Sequence, residues 1–370
     1  MKNRPKLSVL IAAVIAANLV SCGKQYTVLD YFPFQADTAY RYTTEGMSGA
    51  AQTVYIDYAH PDANRWQRRI IAPSQIVGEC LSYEDGQLSM YYAENYMTYV
   101  YDMTYVSPNM SSVVLKEPLT RGAVWKRGTS SAYTSAEPGS AAETVDIMAE
   151  ITDVGKTVTT PAGTYQNALE VTASYVGTEQ RSVEYYAPGV GLVRTETHTQ
   201  SASYSGGQLV GLEYADITVE LAEITENTPY SFSKEFYYPA GAVGGSPSET
   251  REISHATGGD TEAAFNAALA DYSDETMRRL MDGVALNKAS LFVSAGRLRA
   301  DFNSRLTANM SGLSYAEERA ALEALANTVA GFYGAPLVCV TVDGAPYSTA
   351  NITQKTDEYM AALSSAAADE

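Results

Sequence analysis

The feature that most limits the fold of this chain is a series of strand-length runs of alternating character, each ended by a turn signal. Residues 79–92, ECLSYEDGQLSMYY, show the pattern. Glu84-Asp85-Gly86 interrupts two alternating runs, and Gly86 supplies the left-handed conformation a tight hairpin needs. TAYRYTTEG (38–46) and QTVYIDYAHPDANRWQRRII (52–71) repeat the design. Since successive side chains on a strand point to opposite faces, such runs predict antiparallel sheet with one buried face. The stretch 90–105, MYYAENYMTYVYDMTY, extends the expectation: Met97, Tyr99, Tyr101, Met103 and Tyr105 alternate with Thr98, Val100, Asp102 and Thr104, so two faces form at period two. The 28 tyrosines suit such surfaces, because the ring packs while the hydroxyl stays wet.

A second group of signals follows. Pro118-Leu119-Thr120-Arg121-Gly122-Ala123-Val124-Trp125 precedes TVTTPAGTYQNALEV (157–171) and EYYAPGVGLVRTE (184–196). Pro161-Ala162-Gly163 and Pro188-Gly189 make turns between alternating strands. Over residues 115–200 this spacing resembles a β-domain of bacterial envelope lipoproteins related to the half-barrels of lipoprotein-carrier proteins. The resemblance implies a curved sheet or half-barrel whose concave face would hold a glycan or an acyl chain, with the Tyr-rich stretch as lining. The plainer alternative is that those tyrosines cover an ordinary sheet face.

Near Thr228-Pro229 the texture changes to α+β. A strand over 234–238, a Gly/Pro/Ser loop and a strand reaching Ile253 precede helical spacing at Phe265, Ala268, Leu269 and Tyr272, with Asp260 or Thr261 as cap. Met277, Leu280 and Met281 predict a second short helix. ASLFVSAGRLRADFN (289–303) reads as a hairpin about Ala295-Gly296. Ser314-Tyr315-Ala316-Glu317 is a capping box opening a helix whose stripe is Leu322, Leu325, Ala326, Val329 and Phe332. Gly334 stops that helix, and PLVCVTVDG (336–344) is a buried strand. The hairpin ending in ADF, the helix containing LEALANTVAGF and the strand ending in VDG resemble the GerMN domain, named from spore-germination proteins and found in envelope lipoproteins. That resemblance implies protein contact outside the membrane and supplies no catalytic residues.

The amino terminus sets the location. MKNRPK carries Lys2, Arg4 and Lys6, and residues 7–20 are almost wholly apolar, as in a secretory signal. The apolar run is shorter than the roughly 20 residues a membrane span needs. It ends in Leu19-Val20-Ser21-Cys22, which resembles the lipobox of bacterial lipoproteins and implies diacylglycerol on Cys22, with the chain held on the extracytoplasmic side of the cell membrane. Loss of residues 1–21 removes three basic residues, leaving 22 against 43 acidic ones, so nucleic acid is a poor partner. The same charge predicts a body that stands off anionic lipid on its tether.

Sites of chemistry are few. Gly155-Lys156-Thr157 lacks the preceding glycine and the following helix of a phosphate loop. His60, His198 and His255 are the three histidines, and none stands at metal-ligand spacing from another or from a cysteine. Asp57 and His60 would meet on a turn, as solvated surface more than as a dyad. Gly244-Gly245-Ser246-Pro247-Ser248 fails the nucleophile-elbow pattern at its last position. Cys80 and Cys339 lie far apart and read as buried free thiols.

The expected organisation is a lipoprotein signal peptide (1–21), a tether (22–32), a mainly antiparallel β-domain (33–226), a GerMN-like α+β sandwich (229–350) and an acidic tail (351–370). The site residue is Cys22, for lipidation; no catalytic, metal or cofactor site is expected. The functional expectation is a non-enzymatic, lipid-anchored envelope protein that contacts an envelope protein partner, in sporulation or spore germination as the GerMN resemblance implies. The alternative is a lipoprotein that holds a glycan or lipid on its β-domain. A homo-oligomer is left open.

Overall fold

The structure is a computed structural model, and it describes residues 25–45, 51–239 and 247–362. Twelve strands form one antiparallel sheet. β1 (Ala39–Thr44), β2 (Ala51–His60), β3 (Arg65–Ala72), β4 (Gln75–Glu84), β5 (Gln87–Asn95) and β6 (Ser112–Lys116) make one meander. β7 (Val124–Ala132), β8 (Glu143–Thr160), β9 (Gly163–Tyr175), β10 (Arg181–Ala187), β11 (Gly191–Ser205) and β12 (Gln208–Thr225) make another. The turns are the ones the sequence signals: Asp85 and Gly86 both have positive φ, 49° and 74°, between β4 and β5.

What local signals do not contain is the closure. β1 pairs with both β2 and β12, with Tyr42 opposite Leu221, so the two meanders join into a nearly complete ring instead of a curved sheet or half-barrel. The ladder lapses between β6 and β7. There Trp125 Nε1 donates to the Val113 carbonyl (3.1 Å) and Arg127 donates to the Val114 carbonyl (3.2 Å), so side chains occupy what would otherwise be two open edges.

The ring is filled from within. Leu81, Leu88, Leu115, Trp125, Ile151, Leu169 and Val171 pack against Val28, Tyr31 and Phe32 from the segment expected to be a tether. That segment forms a single 3-10 turn, Val28–Tyr31, and Val28 is fully buried. The backbone N–H and hydroxyl of Thr27 both donate to the Asp30 carboxylate (2.8 and 2.9 Å), fixing the turn. The tether is therefore a plug. Its apolar side chains gain more from the ring's interior than from water.

Residues 97–105 also differ from expectation. β5 ends at Asn95, and the following stretch is irregular chain. Met97, Tyr99 and Met103 pack with Cys80 and Tyr92, but Val100 and Thr104, on the supposed opposite face, are fully buried too, while Tyr105 is exposed. Chain sandwiched between two bodies buries both sides, so the alternation has no single wet face to report.

The second unit begins with the hairpin β13 (Tyr230–Tyr237) and β14 (Ser248–His255). Then come α1 (Thr261–Leu269), α2 (Glu275–Leu280), β15 (Leu286–Phe292), β16 (Arg297–Phe302), α3 (Arg305–Met310), α4 (Tyr315–Tyr333), β17 (Leu337–Val342), β18 (Ala345–Pro346) and β19 (Met360–Ala361). α4 carries the chain from β16 to β17, which pair in parallel, as such a crossover requires. Its capping box is present, with the Glu317 carboxylate accepting from the Ser314 N–H (2.9 Å). The acidic tail is partly built in: β19 pairs with β17, and Gln354 is buried.

A buried polar network joins the units. Arg69 on β3 is fully buried, pairs with Asp57 on β2 at 2.8 Å, and donates to the carbonyls of Met97 and Tyr99. Its guanidinium lies 4.6 Å from the Tyr230 ring centroid. Gln67 donates to Asp57 (3.2 Å) and accepts from the Met103 N–H (2.7 Å). From the second unit, Gly258 N–H donates to the Asp57 carbonyl (2.7 Å), and Tyr58 shares a hydrogen bond with Thr261. Gly334, which ends α4 at φ 66°, approaches the other unit closely: a Cβ there would stand 2.5 Å from the Tyr99 ring.

Candidate functional site

The ring interior holds a cavity of about 100 Å³ beside the plug, bounded chiefly by Phe32, Phe34, Tyr40, Tyr42, Ile56 and Arg68. Alternation on β1, β2 and β3 places Tyr40, Tyr42, Ile56 and Arg68 inward, and Phe32 and Phe34 come from the chain that precedes β1. Phe34 stacks on Trp66, with centroids 4.3 Å apart and planes 5° from parallel. Tyr42 donates to the Leu192 carbonyl (2.8 Å), and Tyr40 to Gln35 (3.2 Å). Burial pushes the Tyr31 and Tyr40 hydroxyls up to about 12, helped by nearby acidic groups. Both remain neutral donors at any physiological pH.

Two ion pairs share this interior. Arg68 Nε donates to Glu79 (2.6 Å) on the neighbouring strand, and Arg127 grips Glu184 with two bonds of 2.5 and 2.7 Å. Tyr186 adds a third bond to Glu184 (2.6 Å). Burial by itself would raise the Glu184 carboxyl, but the charge of Arg127 and these donors outweigh it and hold the group below the usual carboxylate range. The arginines are thus neutralised, and the cavity offers aromatic and aliphatic surface to an occupant. Its volume is well under the roughly 300–1,000 Å³ of ordinary small-molecule sites.

A larger groove, about 770 Å³, opens where the plug enters the ring. Its walls are the plug (Gln25, Tyr26, Thr27, Tyr31), the β6–β7 connection (117–120), and Val154, Gly155, Asn167 and Leu169 of β8 and β9. Glu117 accepts from the Val28 N–H (3.2 Å), and Tyr31 donates to the Asn167 carbonyl (3.0 Å), so the plug forms one wall and is held by the others.

Cys22 lies outside the described residues, as does most of the 240–248 loop; Ser248 opens β14 and donates to Glu235 (2.6 Å). Gly155-Lys156-Thr157 sits within strand β8, with Lys156 paired to Glu170. Asp57 and His60 do not act together: Asp57 belongs to the buried network, and His60 pairs with Asp102 at 2.8 Å under the Tyr105 ring. His198 pairs with Asp216 (2.7 Å) and stacks on Tyr214. His255 is buried, and burial lowers its pKa. Cys80 and Cys339 are buried and free, and burial pushes the Cys80 thiol up to about 12.

Two groups escaped sequence reasoning. Glu318 on α4 is fully buried without a cation, and its carboxylate accepts from Tyr347 (2.8 Å), Thr349 (2.5 Å) and Asn351 (2.8 Å), clamping the chain after β18. Lys234 on β13 donates to the Gly331 carbonyl (2.7 Å) in the last turn of α4, and burial, then Arg69, pushes its pKa down to about 8. Nothing in their local sequence separates Glu318 from the other acids of α4, or Lys234 from a surface lysine. Among the described residues no His, Cys, Asp and Glu gather as a metal site, and no helix is long and apolar enough to cross a membrane.

These observations define a mostly-β protein of two joined units, with a plugged antiparallel ring as the larger. No protein-family model matches the chain, and no curated protein matches it. Two solved structures are similar to part of it. A candidate lipoprotein from Parabacteroides distasonis is 15% identical with a TM-score of 0.30, covering 53% of this chain and 98% of its own. A candidate exported protein with YmcC-like fold from Bacteroides fragilis is 16% identical with a TM-score of 0.27, covering 52% of this chain and 97% of its own. Both scores lie below the level of a shared fold.

Proposed function

We propose that this protein is a lipid-anchored, non-enzymatic component of the bacterial cell envelope, in which the ring is a rigid base and the α+β unit contacts an envelope protein. The observation that carries this reading is the leader, with Leu19-Val20-Ser21-Cys22 at the end of its apolar run. The buried Arg69–Asp57 network supports it, because a dry junction lets one unit orient the other. The finer assignment of the second unit to GerMN-like domains, with a role in sporulation or germination, rests on the ADF, LEALANTVAGF and VDG segments.

Affinity capture of the full chain from growing cells, and from sporulating cells where the host forms spores, tests this with Cys22→Ala as control. Native protein in the membrane fraction with a defined envelope partner, and Cys22→Ala protein released from the membrane without it, are the expected results. An unmodified Cys22 would remove the anchor, and native and Cys22→Ala proteins retaining the same partner would remove the link between anchoring and contact.

A second reading is favoured by the cavity beside Phe32 and Tyr42: the ring holds a small apolar group, and a larger ligand only when the plug gives way. Native mass spectrometry of the intact protein, with and without added lipid or glycan, tests it. A bound species supports the reading, and empty protein at all ligand concentrations removes it.

A further inference from the structure

The plug also determines which way the ring faces. Residues 26–32, expected as part of a tether, are bound to the ring by the Glu117 and Asn167 contacts and by the Gly189 N–H, which donates to the Asp30 carbonyl (2.7 Å). Whatever path residues 22–24 take, the three steps from Cys22 to Gln25 span at most about 11 Å. Gln25 lines the 770 Å³ groove. Lipid carried on Cys22 is therefore never farther from that groove than a few water layers.

From this we infer that the plug end of the ring docks on the bilayer interface, with the groove around Tyr26, Leu119 and Val154 facing the phospholipid headgroups. The inference rests on the lipidation of Cys22 proposed above and adds an orientation and a contact surface to it. The groove suits that occupant. Tyr26 offers an amphipathic ring of the kind favoured at headgroup depth, and Val154 is 42% exposed on the groove wall. The acidic body is repelled by anionic lipid, but a tether this short fixes a high local concentration at the surface, and at physiological salt only the charges within a Debye length of about 8 Å of the headgroups oppose it.

The opposite end of the ring provides the reference point. Val210, 55% exposed, lies on β12 at the level of Ser203 and Tyr204, near the tip of the β11–β12 hairpin, and from Gly191 to that level β11 runs about 40 Å at roughly 3.3 Å per residue. The test uses the full lipidated chain in phosphatidylcholine vesicles containing a headgroup-labelled acceptor lipid, with a donor dye at Val154→Cys or Val210→Cys. Because Cys80 and Cys339 are buried, labelling goes to the introduced thiol.

Energy transfer at least several-fold stronger from position 154 than from position 210 is expected, with the difference shrinking when a 20-residue Gly/Ser linker follows Gly23. Equal or reversed transfer in vesicle-bound protein overturns the orientation while leaving the anchor intact. Failure of the native chain to float with vesicles, together with an unmodified Cys22, overturns the anchor and the orientation with it.

Discussion

Arg68 and Arg69 are neighbours on β3 and look in opposite directions. Arg68 faces the ring interior and meets Glu79 across one ladder rung, with the two side chains 20% and 14% exposed. Arg69 faces the second unit, and both it and Asp57 are 0% exposed. The interior pairs, Arg127–Glu184 included, hold the shape of a body whose strands already pair with one another. The seam pair ties the β2–β3 ladder to the 97–104 chain and to β13, neither of which pairs with those strands. Partly wet pairs tune a structure, whereas a dry pair with each guanidinium nitrogen engaged decides whether two structures are one.

Asp57→Asn challenges that contrast most directly. It leaves Arg69 buried without a counter-charge, and a loss of about 3–5 kcal/mol is expected in urea unfolding, with the single transition splitting into two. One cooperative transition with a loss below about 1 kcal/mol would make the seam no different from the interior.

Glu184→Gln should cost less, about 2–3 kcal/mol, because the Arg127 it abandons keeps some access to water. It also sharpens the comparison through pH. Glu184 titrates lower in the native protein than in the unfolded chain, so its contribution is complete above the unfolded carboxyl value and is lost as pH falls through the native one. Glu184→Gln should therefore show a shallower acid-side decline in stability. An unchanged slope would show that other carboxylates carry acid unfolding.

Lys234→Met gives the smallest effect, and a gain where the other two variants lose stability. The native pKa of Lys234 is about 8 against an ordinary 10.5, so between those values the unfolded chain binds more protons and stability rises with pH. Tyr31 and Tyr40, raised to about 12, work the other way above pH 10, since their contribution is present below 10 and is lost as pH climbs toward 12. Lys234→Met should gain about 1 kcal/mol at pH 7 and remove the rise between pH 8 and 10. Thermal melts of both proteins across pH 6–11 would show whether the rise belongs to Lys234.

Much of this architecture is legible because it is local. Asp85-Gly86, the Ser314–Glu317 capping box, Gly334 and the Asp260 cap each act within a few residues of their own position, and each performs as its type dictates. What escapes is what depends on distant partners. Closure of β12 on β1 has no signature in either strand, since an edge residue and a paired one read alike. Residues 97–105 mislead because burial on both sides erases the meaning of alternation. The plug was legible in part: Thr27 and Asp30 stand at capping-box spacing before Tyr31 and Phe32, a helical start signal in chain otherwise read as linker.

The pairing of β1 with β12 also imposes a schedule. Every other rung of the ring joins consecutive strands and can form as the chain emerges. β1 must wait for a partner that follows it by roughly 180 residues, about ten to forty seconds at a synthesis rate of 5–20 residues per second. Through that interval its outer edge is unpaired, and the residues that will surround the plug stand open to solvent. Zipping of the last seam is the late, non-local event that governs how long a newly made molecule stays adhesive. Crowding around the newly made chain, more than the strength of any bond in the finished ring, then sets the hazard the protein meets on its way to the native state.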